Sequence, residues 1–251
     1  MGLMDVHDRL LELYGPRGWW PLITRAGKDG RDSGGYFPGN RKTPDRSGAF
    51  EVSVGAVLTQ NTTWLNAERA LRNLAGTGIL SPEGLFASKH GAIASIIRPS
   101  GYFNTKANTL LELSGYFLSR DLLNPDSEPP LREDLRALRG IGPETADSIL
   151  LYAFGVESFV VDAYTRRILG RLGYASPGEP YDRLRVRIER EIPKTWIFYS
   201  ELHALMVEHS KTACRKNPVC TQCGLGGNRY STVCKYSQAI CADTLSGAKT
   251  L

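Results

Sequence analysis

No cysteine occurs in the first 213 residues of this 251-residue chain, and all five fall between Cys214 and Cys241. A secreted disulfide domain would spread its bridges through the fold, so that class is excluded and the clustering points to a metal site. No apolar run approaches the length of a membrane span, and the N-terminus has no signal-peptide pattern, so a soluble intracellular protein is expected. Strand-like alternation of polar and apolar residues is nearly absent, which argues against sheet-based folds, and no internal repeat is visible.

Hydrophobic residues make up 41% of the chain, enough for a proper core and too many for wholesale disorder. Thirty-one Lys and Arg against 26 Asp and Glu leave a net charge of +5, with an isoelectric point near 9.0. This is a mild preference for a polyanionic partner. Helical spacing of apolar residues recurs from Asp5 to Tyr14 and over 48–59, 63–75, 82–88, 90–97, 104–120, 131–138, 144–154, 162–173, 180–191 and 199–210. The fold class is therefore all-α. Residues 24–47, rich in Gly, Pro, Arg and Asp, read as a long surface loop, and 121–130 as a connector.

The most informative segment is Leu138-Arg139-Gly140-Ile141-Gly142-Pro143-Glu144. Gly140 and Gly142 supply backbone angles closed to other residues, and Pro143 suits the first position of a helix. Helix, glycine hairpin, helix is a device for holding a phosphate, because bare N–H groups and a helix N-terminus point at the anion. Twenty residues beyond the hairpin, Asp162 follows the largely apolar segment Val156 to Val161. A phosphate clamp with a carboxylate nearby suggests chemistry on nucleic acid.

With these motifs the chain resembles the helix-hairpin-helix DNA glycosylases of the endonuclease III superfamily. Ala56-Val57-Leu58-Thr59-Gln60-Asn61-Thr62 matches the family's DNA-entering segment, Gly101-Tyr102-Phe103-Asn104-Thr105-Lys106-Ala107 a second DNA-side loop, and the C-terminal cysteines its iron–sulfur segment. The resemblance is strongest to the 3-methyladenine branch, through Trp19-Trp20-Pro21, Arg98-Pro99-Ser100-Gly101 and Val207-Glu208-His209-Ser210-Lys211. It implies two helical domains: a barrel over 41–155 that ends in the hairpin, and a second domain joining 1–40 to 156–251.

The resemblance also assigns roles. Asp162 would be the catalytic carboxylate; the reading from the residues alone is a helix N-cap ahead of Ala163. Members that also cut the backbone carry a lysine two residues after the second hairpin glycine. Glu144 stands there, and a carboxylate cannot form a Schiff base, so a monofunctional hydrolysis is expected. Trp19, Trp20, Pro21, Phe50, Glu144 and Lys211 would line the base pocket, whose indoles suit a cationic alkylated purine. Gln60 would fill the gap left by an extruded base and Tyr102 would wedge the opposite strand. Lys106 and Arg139, with Gly140 and Gly142 of the hairpin, would meet the phosphates, as would Arg215 and Lys216 between the first cysteines.

The cysteines read C-x5-C-x2-C-x10-C from Cys214 through Cys220 and Cys223 to Cys234, with Cys241 left over. The family implies a [4Fe–4S] cluster on the first four; zinc is the alternative for four thiolates. The function expected is base-excision repair of alkylated purines in damaged double-stranded DNA. The protein would be a monomer, cytoplasmic and nucleoid-associated in a prokaryote, without membrane contact. A glycosylase for oxidised or deaminated bases and a catalytically silent damage binder are the rival readings.

Overall fold

The computed structural model describes residues 2–39, 41–220, 223–225 and 234. Among these, every regular element is helical. The chain divides into two compact units, Gly18–Ser158 and Met1–Arg17 with Phe159–Leu251. These limits differ from those expected from sequence, chiefly because residues 18–40 go with the barrel unit and not with the N-terminal helix.

The larger unit contains α2 (Arg46–Leu58), α3 (Trp64–Gly76), α4 (Pro82–Phe86), α5 (His90–Ile96), α6 (Phe103–Ser119), α7 (Arg132–Ala137) and α8 (Pro143–Phe154), with 3-10 turns at Ile23–Arg25 and Arg98–Ser100. Its centre is α2, buried continuously from Gly48 to Leu58, so it is enclosed all round where surface helices bury only a stripe. Asp45 caps it by accepting from the Gly48 amide at 3.0 Å. Against α2 packs α8, itself buried from Thr145 to Ala153. Around this pair α3 shows the expected amphipathic stripe of Ala67, Ala70, Leu71 and Leu74. An ion pair ties α7 to α8: Arg132 grips the fully buried Asp147 through two bonds of 2.7 and 2.9 Å.

The glycine-rich segment before α2 is held to it by a buried carboxylate. Glu51, 3% exposed, accepts from the Ile23 and Thr24 amides and the Thr24 hydroxyl. The segment then folds back on itself, with the Leu22 amide donating to Gly35 at 3.0 Å and Phe37 to Gly18 at 3.2 Å. Gly35 is required: its φ is +84°, and a Cβ would lie 2.4 Å from the Leu22 carbonyl oxygen.

Among the described residues the smaller unit has four helices, α1 (Leu3–Tyr14), α9 (Ala163–Arg171), α10 (Tyr181–Glu189) and α11 (Trp196–Thr212). The long α11, buried at Leu202 to Val207, packs against both α1 and α9. It begins three residues earlier than its apolar spacing suggests, because Thr195 caps it through the Phe198 amide. No helix among the described residues is long and apolar enough to cross a membrane.

Candidate nucleic-acid interface and catalytic groups

The hairpin forms as its residues require. After α7, the Ile141 amide donates to Leu138 at 3.1 Å and Gly140 takes φ +86°. A Cβ on Gly140 would fall 2.2 Å from the Thr109 hydroxyl, so the close approach of α6 also demands glycine. Gly142 is the N-cap of α8 and offers no side chain to its first turn, which leaves that end open to an anion. Glu144 is exposed in the same turn, and Arg139 is exposed on the hairpin.

Two further loops belong to this unit. Gln60, just past the end of α2, donates from Nε2 to the Gly140 carbonyl at 2.9 Å and to the Thr145 hydroxyl at 2.8 Å, so it is clasped to the hairpin. Tyr102 is 70% exposed and left-handed, with φ +44° and ψ +31°, where it caps α6. A tyrosine in that conformation costs roughly 1–3 kcal/mol and is kept only where its surroundings demand it.

Lys106 does not meet the expectation of a phosphate contact. It is 2% exposed, and its ammonium donates to the carbonyls of Leu58 at 2.8 Å and Ser100 at 2.7 Å. Burial pushes its pKa down to about 8.

The tandem tryptophans open an aromatic cluster larger than the motif suggests. Trp20 meets Trp64 edge-on at 5.6 Å and Tyr152 at 5.3 Å; Trp19 lies 5.6 Å from Trp20, 6.3 Å from Tyr152 and 6.5 Å from Tyr36. Both tryptophans are half-buried, and Pro21 is buried behind them. Gly55 of α2 makes the room, since a Cβ there would press on the Trp20 Nε1 at 3.1 Å. Trp64 and Tyr152 were missed in the sequence, although Trp64 follows the matched 56–62 segment by only two residues. Phe50 differs from its expected place. It is 1% exposed and packs edge-on against Phe117 at 5.0 Å, a core contact without an open face.

In the smaller unit Asp162 is the N-cap of α9, accepting from the Thr165 amide at 2.7 Å. Its other oxygen lies 3.5 Å from His203 Nε2 on α11, and 13% of the side chain is exposed. Burial pushes the carboxyl pKa up, but His203 and the bonds from Thr165 outweigh it, so the group stays below the usual carboxylate range. Asp162 is thus an anion near neutral pH, aimed by a cap and a buried imidazole. Lys211 is exposed by area, yet desolvation lowers its pKa while Glu208 and Asp162 pull it back up. It therefore lies in the field of Asp162. His203, 4% exposed, was not anticipated, and nothing in its sequence context separates it from an ordinary core histidine.

Four cysteines sit at the end of the same unit. Cys214 and Cys234 are buried, and Cys220 and Cys223 are partly so; none forms a disulfide. Arg171 donates to the Cys214 sulfur at 3.1 Å, and the Cys234 thiol faces the Arg171 carbonyl at 3.7 Å. The Cys223 sulfur lies 3.4 Å from His209 Nε2, and Tyr14 holds the other ring nitrogen at 2.9 Å. Burial raises the Cys223 pKa, and the neighbouring Cys214, Cys234 and Cys220 raise it further, so the four thiols share one electrostatic neighbourhood. Among the described residues, no three metal-binding side chains converge closely enough to hold a single ion. Cys241 lies outside the described residues. Arg215 and Lys216 are exposed, with their carbonyls held by Arg171.

Helices throughout the described residues, a glycine hairpin with no side-chain cap and a capping carboxylate twenty residues on are the features of a helix-hairpin-helix nucleic-acid-binding fold. Residues 54–194 match the HhH-GPD superfamily of base excision DNA repair proteins. The putative DNA repair glycosylase MJ1434 of Methanocaldococcus jannaschii is 37% identical over 227 residues, which cover 88% of this chain and 92% of the relative. Endonuclease III of Sulfolobus acidocaldarius is 28% identical and covers 74% of this chain and 82% of its own. Among solved structures, the H. pylori 3-methyladenine DNA glycosylase MagIII bound to 1,N6-ethenoadenine aligns with a TM-score of 0.66 at 27% identity, over 84% of this chain and 98% of the other. An Endonuclease III–DNA complex aligns at 0.72 and 17% identity over 96% and 99%, a likeness of fold. The chain belongs to the HhH-GPD superfamily of base excision DNA repair glycosylases.

Proposed function

We propose that this protein is a monofunctional DNA glycosylase that hydrolyses the N-glycosidic bond of alkylated purines such as 3-methyladenine. The observation that carries the reading is the cluster of half-buried Trp19, Trp20, Trp64 and Tyr36 with the buried Tyr152 in the hairpin-bearing unit. N-alkylation makes the base cationic, and a cation over an indole gains about 0.5–2 kcal/mol per good contact. The likeness to MagIII supports the same lesion class. Gln60 and Tyr102 act as wedges on the two strands while the damaged nucleotide is extruded, and the hairpin at Gly140 and Gly142 holds a phosphate. Glu144 and Pro21 are assigned to the same base pocket.

Asp162 carries the chemistry. An alkylated purine is already an activated leaving group, so positive charge develops on the sugar as the bond breaks. An anionic carboxylate stabilises that charge and orients the attacking water. His203 fixes Asp162, and Lys211 tunes its field. With Glu144 at the hairpin position where the lyase members of the family have lysine, no amine is placed there to form a Schiff base.

Cys214, Cys220, Cys223 and Cys234 are the donor set assigned to a [4Fe–4S] cluster, since thiolates are its usual ligands and Cys214, Cys234 and Cys220 all bear electrostatically on Cys223. Such a cluster supplies a rigid cross-link for the tail. Arg171 and His209 would direct hydrogen bonds at its sulfurs.

The test is a panel of duplexes carrying a 3-methyladenine analogue, 7-methylguanine, 1,N6-ethenoadenine, uracil or thymine glycol, scored for free-base release and separately for strand cutting. Release of alkylated purines without cutting supports the reading. Release confined to uracil or thymine glycol replaces it with a glycosylase for deaminated or oxidised bases. Tight binding with no release makes the protein a silent damage binder.

A further inference from the structure

We propose that Lys106 is a positioning residue whose buried ammonium ties the segments bearing Gln60 and Tyr102 into one frame. Leu58 closes α2 two residues before Gln60, and Ser100 lies two residues before Tyr102. The Lys106 ammonium donates to both carbonyls, at 2.8 and 2.7 Å, while its own amide takes the Tyr102 carbonyl at 3.0 Å. The inference rests on the wedge roles proposed above for Gln60 and Tyr102.

The chemistry of the site argues for a role beyond filling space. Among the described residues this ammonium contacts no carboxylate, and burying a lone cation is costly unless hydrogen bonds compensate. Two carbonyls do so here. The Leu58 carbonyl belongs to the last turn of α2, where intrahelical partners run out and the helix dipole favours a cation. Ser100 is fully buried, its hydroxyl donates to the Ile97 carbonyl, and its own carbonyl accepts from Lys106. The left-handed Tyr102 needs surroundings that hold it, and Lys106 restrains it from its amide and, through Ser100, from its ammonium. Gln60 extends the frame, since its amide reaches Gly140 and Thr145 of the hairpin. One buried cation thus links two wedges, and one wedge links to the phosphate clamp.

The experiment uses the full-length protein and a duplex with a tetrahydrofuran abasic analogue opposite 2-aminopurine, whose fluorescence reports local unstacking. Lys106→Met fills similar space without donors, and Lys106→Gln keeps an amide donor. The expected result is a loss of roughly tenfold or more in affinity for the abasic duplex with Met, the scale of a lost charge-assisted hydrogen bond, and partial recovery with Gln. Binding to undamaged duplex should change less than about twofold, since phosphate contacts supply it. A folded Met variant with the normal fluorescence rise, or equal losses on both duplexes, overturns the proposal. A double-mutant cycle of Gln60→Ala and Tyr102→Ala needs no change at Lys106: the frame requires non-additive losses, and additive ones refute it. If neither alanine variant alters the fluorescence, the wedge reading itself fails and the frame with it.

Discussion

Replacing Asp162 by Asn separates the catalytic role of this carboxylate from its structural one. As the N-cap of α9 it accepts the Thr165 amide at 2.7 Å, and an asparagine oxygen accepts that bond equally well. The cap should therefore survive, with a stability change of at most about 1 kcal/mol. What disappears is the negative charge, held anionic beside His203 at 3.5 Å. If that charge stabilises the developing sugar cation, its removal raises the barrier by on the order of 3 kcal/mol, about a hundredfold or more in rate. Asp162→Ala removes charge and cap together and should cost a further ~1 kcal/mol of folding stability while losing a similar amount of rate. The assay is single-turnover base release from an alkylated duplex, with thermal melting of each variant and binding to an abasic-analogue duplex as controls. Near-normal release by the Asn variant would refute the assignment. So would a rate that falls only in proportion to lost stability.

Borohydride treatment during turnover should trap no covalent complex, because Glu144 cannot form an imine; a crosslink from the unaltered protein would identify another amine as nucleophile, with Lys211 the first to test by substitution. Purified protein should contain iron and sulfide, and Cys234→Ser should lower both and destabilise the tail while Cys241→Ser should not; one zinc without iron would replace the cluster with a structural metal site. Lys106 should leave a mark on stability against pH. Its folded pKa of about 8 lies below the ordinary lysine value of 10.5, so the unfolded chain holds the extra proton between those values. Stability should accordingly rise with pH from about 8 toward 10.5, by at most about 3 kcal/mol, and be lost again as pH falls from 10.5 to about 8, below which it levels off. The Lys106→Met variant should lack that increment in urea unfolding followed across the range; an identical increment in both proteins would show that the amine is not desolvated.

Much of the fold was legible in the linear chain because its causes are local. Apolar residues at helical spacing marked ten of the described helices beyond α1 to within a few residues, and Gly140, Gly142 and Pro143 marked the hairpin, since left-handed backbone and a proline at a helix start leave direct traces. Asp162 could be read as a cap for the same reason: Thr165 is only three residues away. Other features depend on partners far along the chain and left no local trace. Lys106 reads as a surface cation by type, yet the carbonyls of Leu58 and Ser100 draw it into the core. Phe50 carries no sign that Phe117 will cover it, and residues 24–47 read as surface loop with no sign that Glu51 fastens the start of that stretch to α2. Trp64 and Tyr152 join Trp20 from two separate helices, and His203 reaches Asp162 across 41 positions. Periodicity, capping and turn chemistry act over a few residues, so the sequence determined the helices and the family's motifs. Burial and pairing of single polar and aromatic side chains are settled by long-range packing, and only the tertiary structure decided which of them face a ligand and which hold the frame.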